Sequence, residues 1–184
     1  MSTADLPFDP PTETVGPDEL ADIARRVAER PDLWRDGLDR DRSERTYSEV
    51  FTSEHLGVWA ISWMDTAHDT GFHDHDRSRG AVHVAEGTIR HEHLRLGERP
   101  TGSAVPAGHG FRFDETEIHR MRAEAGAGPT VTIHAYSPPL VETGQYGAHH
   151  DHRLHRVPSP ADEQLRPHGF QGTPTGLDDS AVAV

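Results

Sequence analysis

The hydrophobic pattern of the chain changes near residue 45. Before this point, "PDELADIARRVAER" has apolar residues at helical spacing, a proline near its start and acidic residues in its first turn, which predicts an α-helix. The stretch "PDLWRDGL" favours a short second turn of helix. After residue 45, short segments separated by Gly, Pro and Asp are typical of strands. The predicted strands are "LGVWAISW", "AVHVAEGTIRHEHLRL" with a hairpin turn at "AEGT", "GSAVPAGHGFRF", "EIHRMRA" and "TVTIHAYS".

This succession of elements predicts a mostly β fold. Several short, closely spaced strands that follow one or two helices indicate a small β-barrel or a double-sheet jelly roll. With 184 residues, the chain is long enough for one domain with a single sizeable core. We expect a flexible N-terminal arm at residues 1–16, a helical segment at 17–44, the barrel at 45–140 and an irregular C-terminal segment at 141–184.

The composition excludes several classes of protein. A net charge of -13 argues against nucleic acid as a partner, because a phosphate backbone would be repelled. The chain has no cysteine, so it has no disulfide, thiolate ligand or cysteine nucleophile. No apolar run reaches the roughly 20 residues that cross a bilayer, and the N-terminus does not resemble a signal peptide. We therefore expect a soluble cytoplasmic protein without a membrane partner, either a monomer or a small homo-oligomer.

The histidines are unusually numerous, at 15. In "GFHDHDRSRG", residues 71–80, His73 and His75 would share one face of a strand, which makes half of a metal site or a polar surface strand. The same spacing recurs at His91 and His93, but charged neighbours favour a solvated strand face there. Solvated positions are also expected for the histidines of the tail, at 149, 150, 152 and 155.

The order of motifs around His73 resembles that of the cupins. Gly87 follows the HxH pair at a turn, "PAG" at 106–108 makes another turn, and His119 follows on a separate strand. The position of the usual cupin glutamate falls at Arg79 or Gly80, so a carboxylate ligand is missing. Three histidines without a carboxylate are characteristic of the thiol dioxygenases within that superfamily.

The segment "EIHRMRAEAGAGPTVTIHAYSPPL" is similar to one in the cysteine dioxygenases. The resemblance implies that His119 is the third metal ligand after His73 and His75, and it covers about residues 45–140. It also implies a catalytic triad, formed by Thr132, His134 and Tyr136. Gly80 stands where animal enzymes carry a cysteine that cross-links to the tyrosine, so no such cross-link can form here.

The resemblance implies Fe(2+) as the cofactor, with O2 and a small-molecule thiol as substrates and a sulfinate as product. Three neutral imidazoles suit a divalent first-row metal and supply no negative charge, which favours binding of a thiolate. The Tyr136 hydroxyl would lie over the open side of the metal, His134 would orient it, and Thr132 would hold the imidazole. A polar strand face without a catalytic role is the alternative for these three residues.

The substrate pocket departs from the family pattern. In cysteine dioxygenases an arginine clamps the substrate carboxylate, whereas Tyr47 stands at that position here, with Arg45 two residues earlier. A phenol does not replace a guanidinium that grips a carboxylate with two hydrogen bonds. Either an arginine supplies the clamp, or a larger substrate stacks on an aromatic ring. The candidates for these roles are Arg45, Arg77 and Arg79, and Tyr47, Trp59 and Trp63.

Cysteine is the first candidate substrate; ergothioneine or another thioimidazole, 3-mercaptopropionate and cysteamine are alternatives. A different class of function also fits the motifs. A cupin can bind a metal and a small ligand without redox chemistry, as an isomerase or a ligand-binding module. The Tyr136–His134 pair favours the dioxygenase, because mere binding does not require a hydroxyl over the open coordination face.

Overall fold

The computed structural model describes residues 5–40, 45–65, 67–95, 97–148 and 154–160. One α-helix, α1 (Pro17–Ala28), is followed by two short 3₁₀ helices at Pro31–Leu33 and Arg35–Gly37. The described part of the chain also contains eleven strands. They are β1 (Tyr47–Thr52), β2 (Gly57–Trp63), β3 (Phe72–Asp74), β4 (Arg79–Glu86), β5 (Thr88–Leu94), β6 (Thr101–Pro106), β7 (Gly110–Phe113), β8 (Ile118–Ala123), β9 (Thr130–Ser137), β10 (Glu142–Ala148) and β11 (Leu154–Pro160).

The strands form two antiparallel sheets. One sheet has the order β1-β2-β9-β4-β7, and the other has the order β11-β10-β3-β8-β5-β6. Consecutive strands β4 and β5 belong to different sheets and are joined at Gly87, whose φ of 73° lies in the left-handed region that favours glycine. The predicted double-sheet jelly roll is therefore confirmed.

Strand β9 shows how the sequence pattern builds two separate layers. All eight of its residues are buried, so both faces of the strand are covered. Its odd-numbered apolar residues, Val131, Ile133 and Ala135, belong to the core that α1 covers. Tyr136 belongs to the second apolar cluster, inside the barrel. Because side chains alternate along a strand, Thr132 and His134 face the interior with Tyr136.

Helix α1 closes the outer face of the five-stranded sheet. Its residues Leu20, Ile23, Ala24 and Val27 are buried at helical spacing in the same core as β9. Fully burying a Leu, Ile or Val side chain contributes about 1.5–3 kcal/mol, so this stripe fixes the helix on the sheet. In the part of the chain that the structure describes, no helix has both the length and the apolar character to span a membrane.

Both predicted terminal segments need correction. Phe8 and Val15, within the expected flexible arm, are buried in the core beneath α1. In the expected irregular segment, β10 and β11 pair with each other over their full length, and β10 also pairs with β3. Residues 161–184 lie outside the described part of the chain. The Gly and Pro residues of this hairpin concealed its strands in the sequence, and the pairing of β10 with β3 joins segments that lie far apart in the chain.

Candidate metal centre

Three histidines meet inside the barrel. His73 lies in β3, His75 follows that strand directly, and His119 lies in β8 opposite His73 in the strand register. The ring centroids are 4.8 Å apart for His73 and His75, 4.7 Å for His73 and His119, and 4.8 Å for His75 and His119. All three rings are buried, and one nitrogen from each lies within 4.8 Å of the others.

This donor set fits a divalent metal. Burial lowers the pKa of His73 to about 4 and lowers the pKa of His75 and of His119 well below the ordinary histidine value, so the imidazoles are neutral. The Nε2 atoms of His75 and His119 are 3.2 Å apart. Neighbouring ligands at right angles around a metal, each about 2.1 Å from it, would be about 3.0 Å apart. Nδ1 of His73 is 3.0 Å from the carbonyl of Gly71, which leaves its Nε2 as the ligand atom.

Asp74, between the two histidines, faces the opposite way and anchors the C-terminal hairpin. Its carboxylate accepts hydrogen bonds from the backbone of Gly144, the hydroxyl of Tyr146 and the guanidinium of Arg156, the last through two nitrogens at 2.6 and 2.8 Å. Burial would raise the pKa of Asp74, but the hydrogen bonds from Arg156, the backbone of Asp76 and Tyr146 together outweigh it and hold the pKa well below its usual range. The hairpin is therefore fastened to the metal-binding motif itself.

The predicted triad forms a continuous chain of side chains. The Tyr136 hydroxyl is 3.0 Å from Nδ1 of His134, and Nε2 of His134 is 2.8 Å from Oγ1 of Thr132. The indole Nε1 of Trp63 donates a hydrogen bond of 2.8 Å to the same Oγ1. Burial lowers the pKa of His134 to about 3 and raises that of Tyr136 above its ordinary value. Trp63 thus belongs to this series of hydrogen-bonded side chains, a role that the sequence did not predict.

A cavity lies over these groups and includes about 520 Å³ of space free of atoms, part of it open to solvent. Its wall contains the candidate metal ligand His73, two residues of the predicted triad, His134 and Tyr136, and Arg45, with an otherwise mostly apolar lining. Of the side chains that line it in the described part of the chain, Arg45 alone is a permanent cation. The remaining lining residues are Trp59, Ile61, Trp63, Thr70, Met121 and Leu140.

The structure separates the predicted substrate-binding residues. Arg45 is buried, and its guanidinium carbon lies 5.2 Å from the centre of the Trp63 ring. Burial lowers the pKa of Arg45 to about 10, which leaves it charged at neutral pH. Tyr47 is 39% exposed, packs on Trp59 and does not line the cavity. Arg77, with a side chain 84% exposed, lies on the surface beside Asp76. Tyr47 and Arg77 therefore lie apart from the predicted pocket.

His91 contradicts the expected solvated strand face. Its ring is only 3% exposed, stacks on Phe111 with centroids 3.6 Å apart, and places Nε2 at 2.8 Å from Nδ1 of His119. Burial lowers the pKa of His91 to about 3. The alternation of β5 puts His91 on the same face as buried Ile89, and that signal could have revealed it. His93 is partly exposed beside Glu117, and His155 is exposed as expected, while His149, His150 and His152 lie outside the described residues.

Five of the buried histidines lie inside the barrel, and we call them the histidine cluster. They are His73, His75, His91, His119 and His134.

Gly80 lies beside Tyr136, in the adjacent strand. A Cβ atom at this position would clash with the ring of Phe113. Phe113 stacks on His75, with centroids 4.3 Å apart, and lies 6.3 Å from Tyr136. The ring of Phe113 therefore occupies the space that a side chain at position 80 would need, in a chain that cannot form the cysteine–tyrosine cross-link.

The jelly roll and its buried three-histidine centre define the protein as a cupin with a metal-binding site. The family model described as cysteine dioxygenase type I matches residues 12–149, and the chain belongs to this family. None of the curated proteins compared with the chain matches it.

Solved structures resemble the chain at low identity. KdgF from Halomonas sp. is 16% identical with a TM-score of 0.46, over 53% of this chain and 82% of its own. A protein with a double-stranded β-helix domain from Klebsiella pneumoniae is 11% identical with a TM-score of 0.48, over 67% of this chain and 92% of its own. Oxalate oxidase in complex with glycolate is 13% identical with a TM-score of 0.47, over 56% of each chain.

Proposed function

We propose that the protein is a mononuclear non-haem iron(II) dioxygenase that adds both atoms of O2 to a small-molecule thiol and produces a sulfinate. The observation that carries this proposal is that the three-histidine centre and the Tyr136 chain meet at the same cavity. Membership of the cysteine dioxygenase type I family supports the reaction class. Iron held by His73, His75 and His119 would supply the site at which the thiolate and dioxygen come together.

The hydrogen-bond chain has a direction that leaves the Tyr136 proton available to the cavity. An indole N–H only donates, so the Thr132 oxygen accepts from Trp63. We propose that the Thr132 hydroxyl in turn donates its hydrogen bond to Nε2 of His134. The neutral His134 then carries its proton on Nδ1 and donates it to the Tyr136 oxygen. The hydroxyl proton of Tyr136 is free to point towards the substrate, and the raised pKa keeps that proton in place.

Arg45 is the group best placed to recognise a carboxylate. Its guanidinium is buried, positively charged and part of the cavity wall. A hydrogen bond to a charged group contributes about 1.5–3 kcal/mol, so a thiol that carries a carboxylate gains where an uncharged thiol does not. We therefore place cysteine and 3-mercaptopropionate ahead of cysteamine.

The apolar part of the wall supports a second possible substrate. Trp59 and Trp63 offer rings on which a thioimidazole such as ergothioneine could stack, and ergothioneine also has a carboxylate. This alternative rests on the rings of Trp59 and Trp63 rather than on Tyr47, which lies outside the cavity.

Oxygen consumption by the iron-loaded protein across a thiol panel tests the proposal. The panel consists of cysteine, 3-mercaptopropionate, cysteamine and ergothioneine. We expect uptake with the carboxylate-bearing thiols and little with cysteamine. Tightly held zinc together with no oxygen uptake on any thiol would instead favour a cupin without redox chemistry.

A further inference from the structure

A second histidine lies directly behind metal ligand His119. In the pairing of β5 with β8, His93 lies directly opposite His119 and His91 lies opposite Met121, and Nε2 of His91 is 2.8 Å from Nδ1 of His119. Both rings are buried, with 3% and 1% of their surface exposed. Nε2 of His119, on the other side of the same ring, faces Nε2 of His75 at 3.2 Å. The two nitrogens of His119 thus have separate partners.

The ring of His91 is held in a fixed plane. Phe111 stacks against it at 3.6 Å with an angle of 10° between the rings, and His93 packs edge-on at 4.2 Å. These neighbours hold the ring so that its Nε2 points at His119, and little further side-chain conformational entropy is lost when the metal binds.

We propose that His91 is a positioning residue, an inference that rests on the proposed metal centre. His91 accepts a hydrogen bond from Nδ1–H of His119 and thereby keeps Nε2 of His119 free to bind the metal. A neutral imidazole has one proton, so ligation through Nε2 requires that Nδ1 keep it. Metal-binding histidines depend on an acceptor for this second nitrogen, which fixes the tautomer and the ring orientation. His91 supplies that acceptor from a strand neighbouring the one that carries His119.

The same atoms could instead form a second metal site, from His91, Glu117 and His119. The distances favour the hydrogen bond. A separation of 2.8 Å between the two nitrogens is within the hydrogen-bond range. Two nitrogens bound to one metal at about 2.1 Å would be about 3.0 Å apart or more. Glu117 lies 3.8 Å from Nε2 of His91 and reaches His93 more closely, at 3.1 Å.

Cobalt(II) affinity, measured by competition with a chelator, tests the role of His91 without any turnover. We expect His91→Ala to weaken cobalt binding about 10–100-fold, as loss of an outer partner of a metal-binding histidine typically does. His91→Gln should restore most of the affinity, because its side-chain oxygen can accept the same hydrogen bond. The control His155→Ala should stay within about twofold of the wild type, since this side chain is exposed on β11, a strand that does not pair with β8.

Nitrogen NMR of the zinc-loaded wild type, with labelled histidines, provides a second readout that does not depend on the variants folding. We expect zinc on Nε2 of His119, a proton on Nδ1, and an unprotonated Nε2 on His91. Zinc on Nδ1 of His119, or unchanged cobalt affinity in a folded His91→Ala, would overturn the inference. A protein that shows the expected metal pattern but oxidises no thiol would contradict only the proposed reaction.

Discussion

Tyr136→Phe separates the chemistry of the site from its metal binding. The change removes one hydroxyl group and keeps the ring, which packs 5.6 Å from His75 and 6.3 Å from Phe113. Iron affinity should therefore remain close to that of the wild type. The lost hydrogen bond to a charged reacting group costs about 1.5–3 kcal/mol, which lowers turnover by about one to two powers of ten. The assay is sulfinate formed per iron per second, with iron content measured on the same sample.

Thr132→Val is the matched variant, because it keeps the shape of the side chain but removes the hydroxyl that contacts His134. Trp63 Nε1 and His134 Nε2 each lose their partner, so the free energy of unfolding should fall by about 1–3 kcal/mol. If Thr132 acts only through Tyr136, the double variant should turn over no more slowly than Tyr136→Phe alone. Two results would refute this role of the hydrogen-bonded side chains. One is a loss of iron in proportion to activity in Tyr136→Phe. The other is a double variant whose loss of turnover equals the product of the two single losses.

Four further predictions follow from the described contacts. His73→Ala should abolish iron retention and turnover without loss of the fold by circular dichroism, whereas His155→Ala on exposed β11 should change neither. Arg45→Ala should raise the KM for 3-mercaptopropionate by about tenfold or more and leave the KM for cysteamine nearly unchanged; equal effects would exclude a carboxylate clamp. Arg156→Gln should lower the free energy of unfolding by about 1–2 kcal/mol, since it breaks a pair with Asp74 that is partly exposed; an unchanged melting temperature would contradict this. The metal-free protein should lose stability as pH falls below about 6.5, because the histidines then bind protons in the unfolded chain but stay neutral in the folded one, where burial lowers their pKa. The free energy of unfolding should fall by up to about 1.4 kcal/mol per pH unit for each histidine of the cluster. Denaturant titrations from pH 7.5 to 5 measure this slope, and a flat profile would show that these histidines are accessible to protons.

Local alternation explains how much of the site was visible in the sequence. In β9 the buried apolar residues and the triad residues occupy opposite faces, so the period of two alone places Thr132, His134 and Tyr136 together. The HxH spacing does not suffice by itself, because His91 and His93 repeat it without joining the same three-histidine centre. The order of the later turn and of His119 was needed to choose between the two pairs.

The substrate pocket could not be predicted by counting along a strand. Tyr47 and Arg45 would share a face only if the strand were regular through both residues, but Arg45 precedes the first residue of β1. The pairing of β1 with β2 also contains an irregularity between Glu49 and Phe51. The direction of the Arg45 side chain is therefore not set by the alternation of β1. Arg45 lines the cavity, whereas Tyr47 is exposed and does not line it.

The C-terminal strands depended on contacts that are distant in sequence. Asp74 binds Arg156 and the backbone of Gly144, and neither pairing can be read from the local pattern of "ETGQYGA" or "LHRVPSP". His91 was missed for a related reason. Its charged neighbours indicated solvent, while the pairing of β5 with β8 places its ring inside the barrel against His119.

Labelled dioxygen provides the most direct test of the proposed reaction. The iron-loaded protein is given isotopically labelled O2 and a carboxylate-bearing thiol, and the product is analysed by mass spectrometry. We expect a sulfinate that carries two labelled oxygen atoms, formed in equal amount to the O2 consumed. A disulfide with hydrogen peroxide, or a product with one labelled oxygen or none, would contradict it.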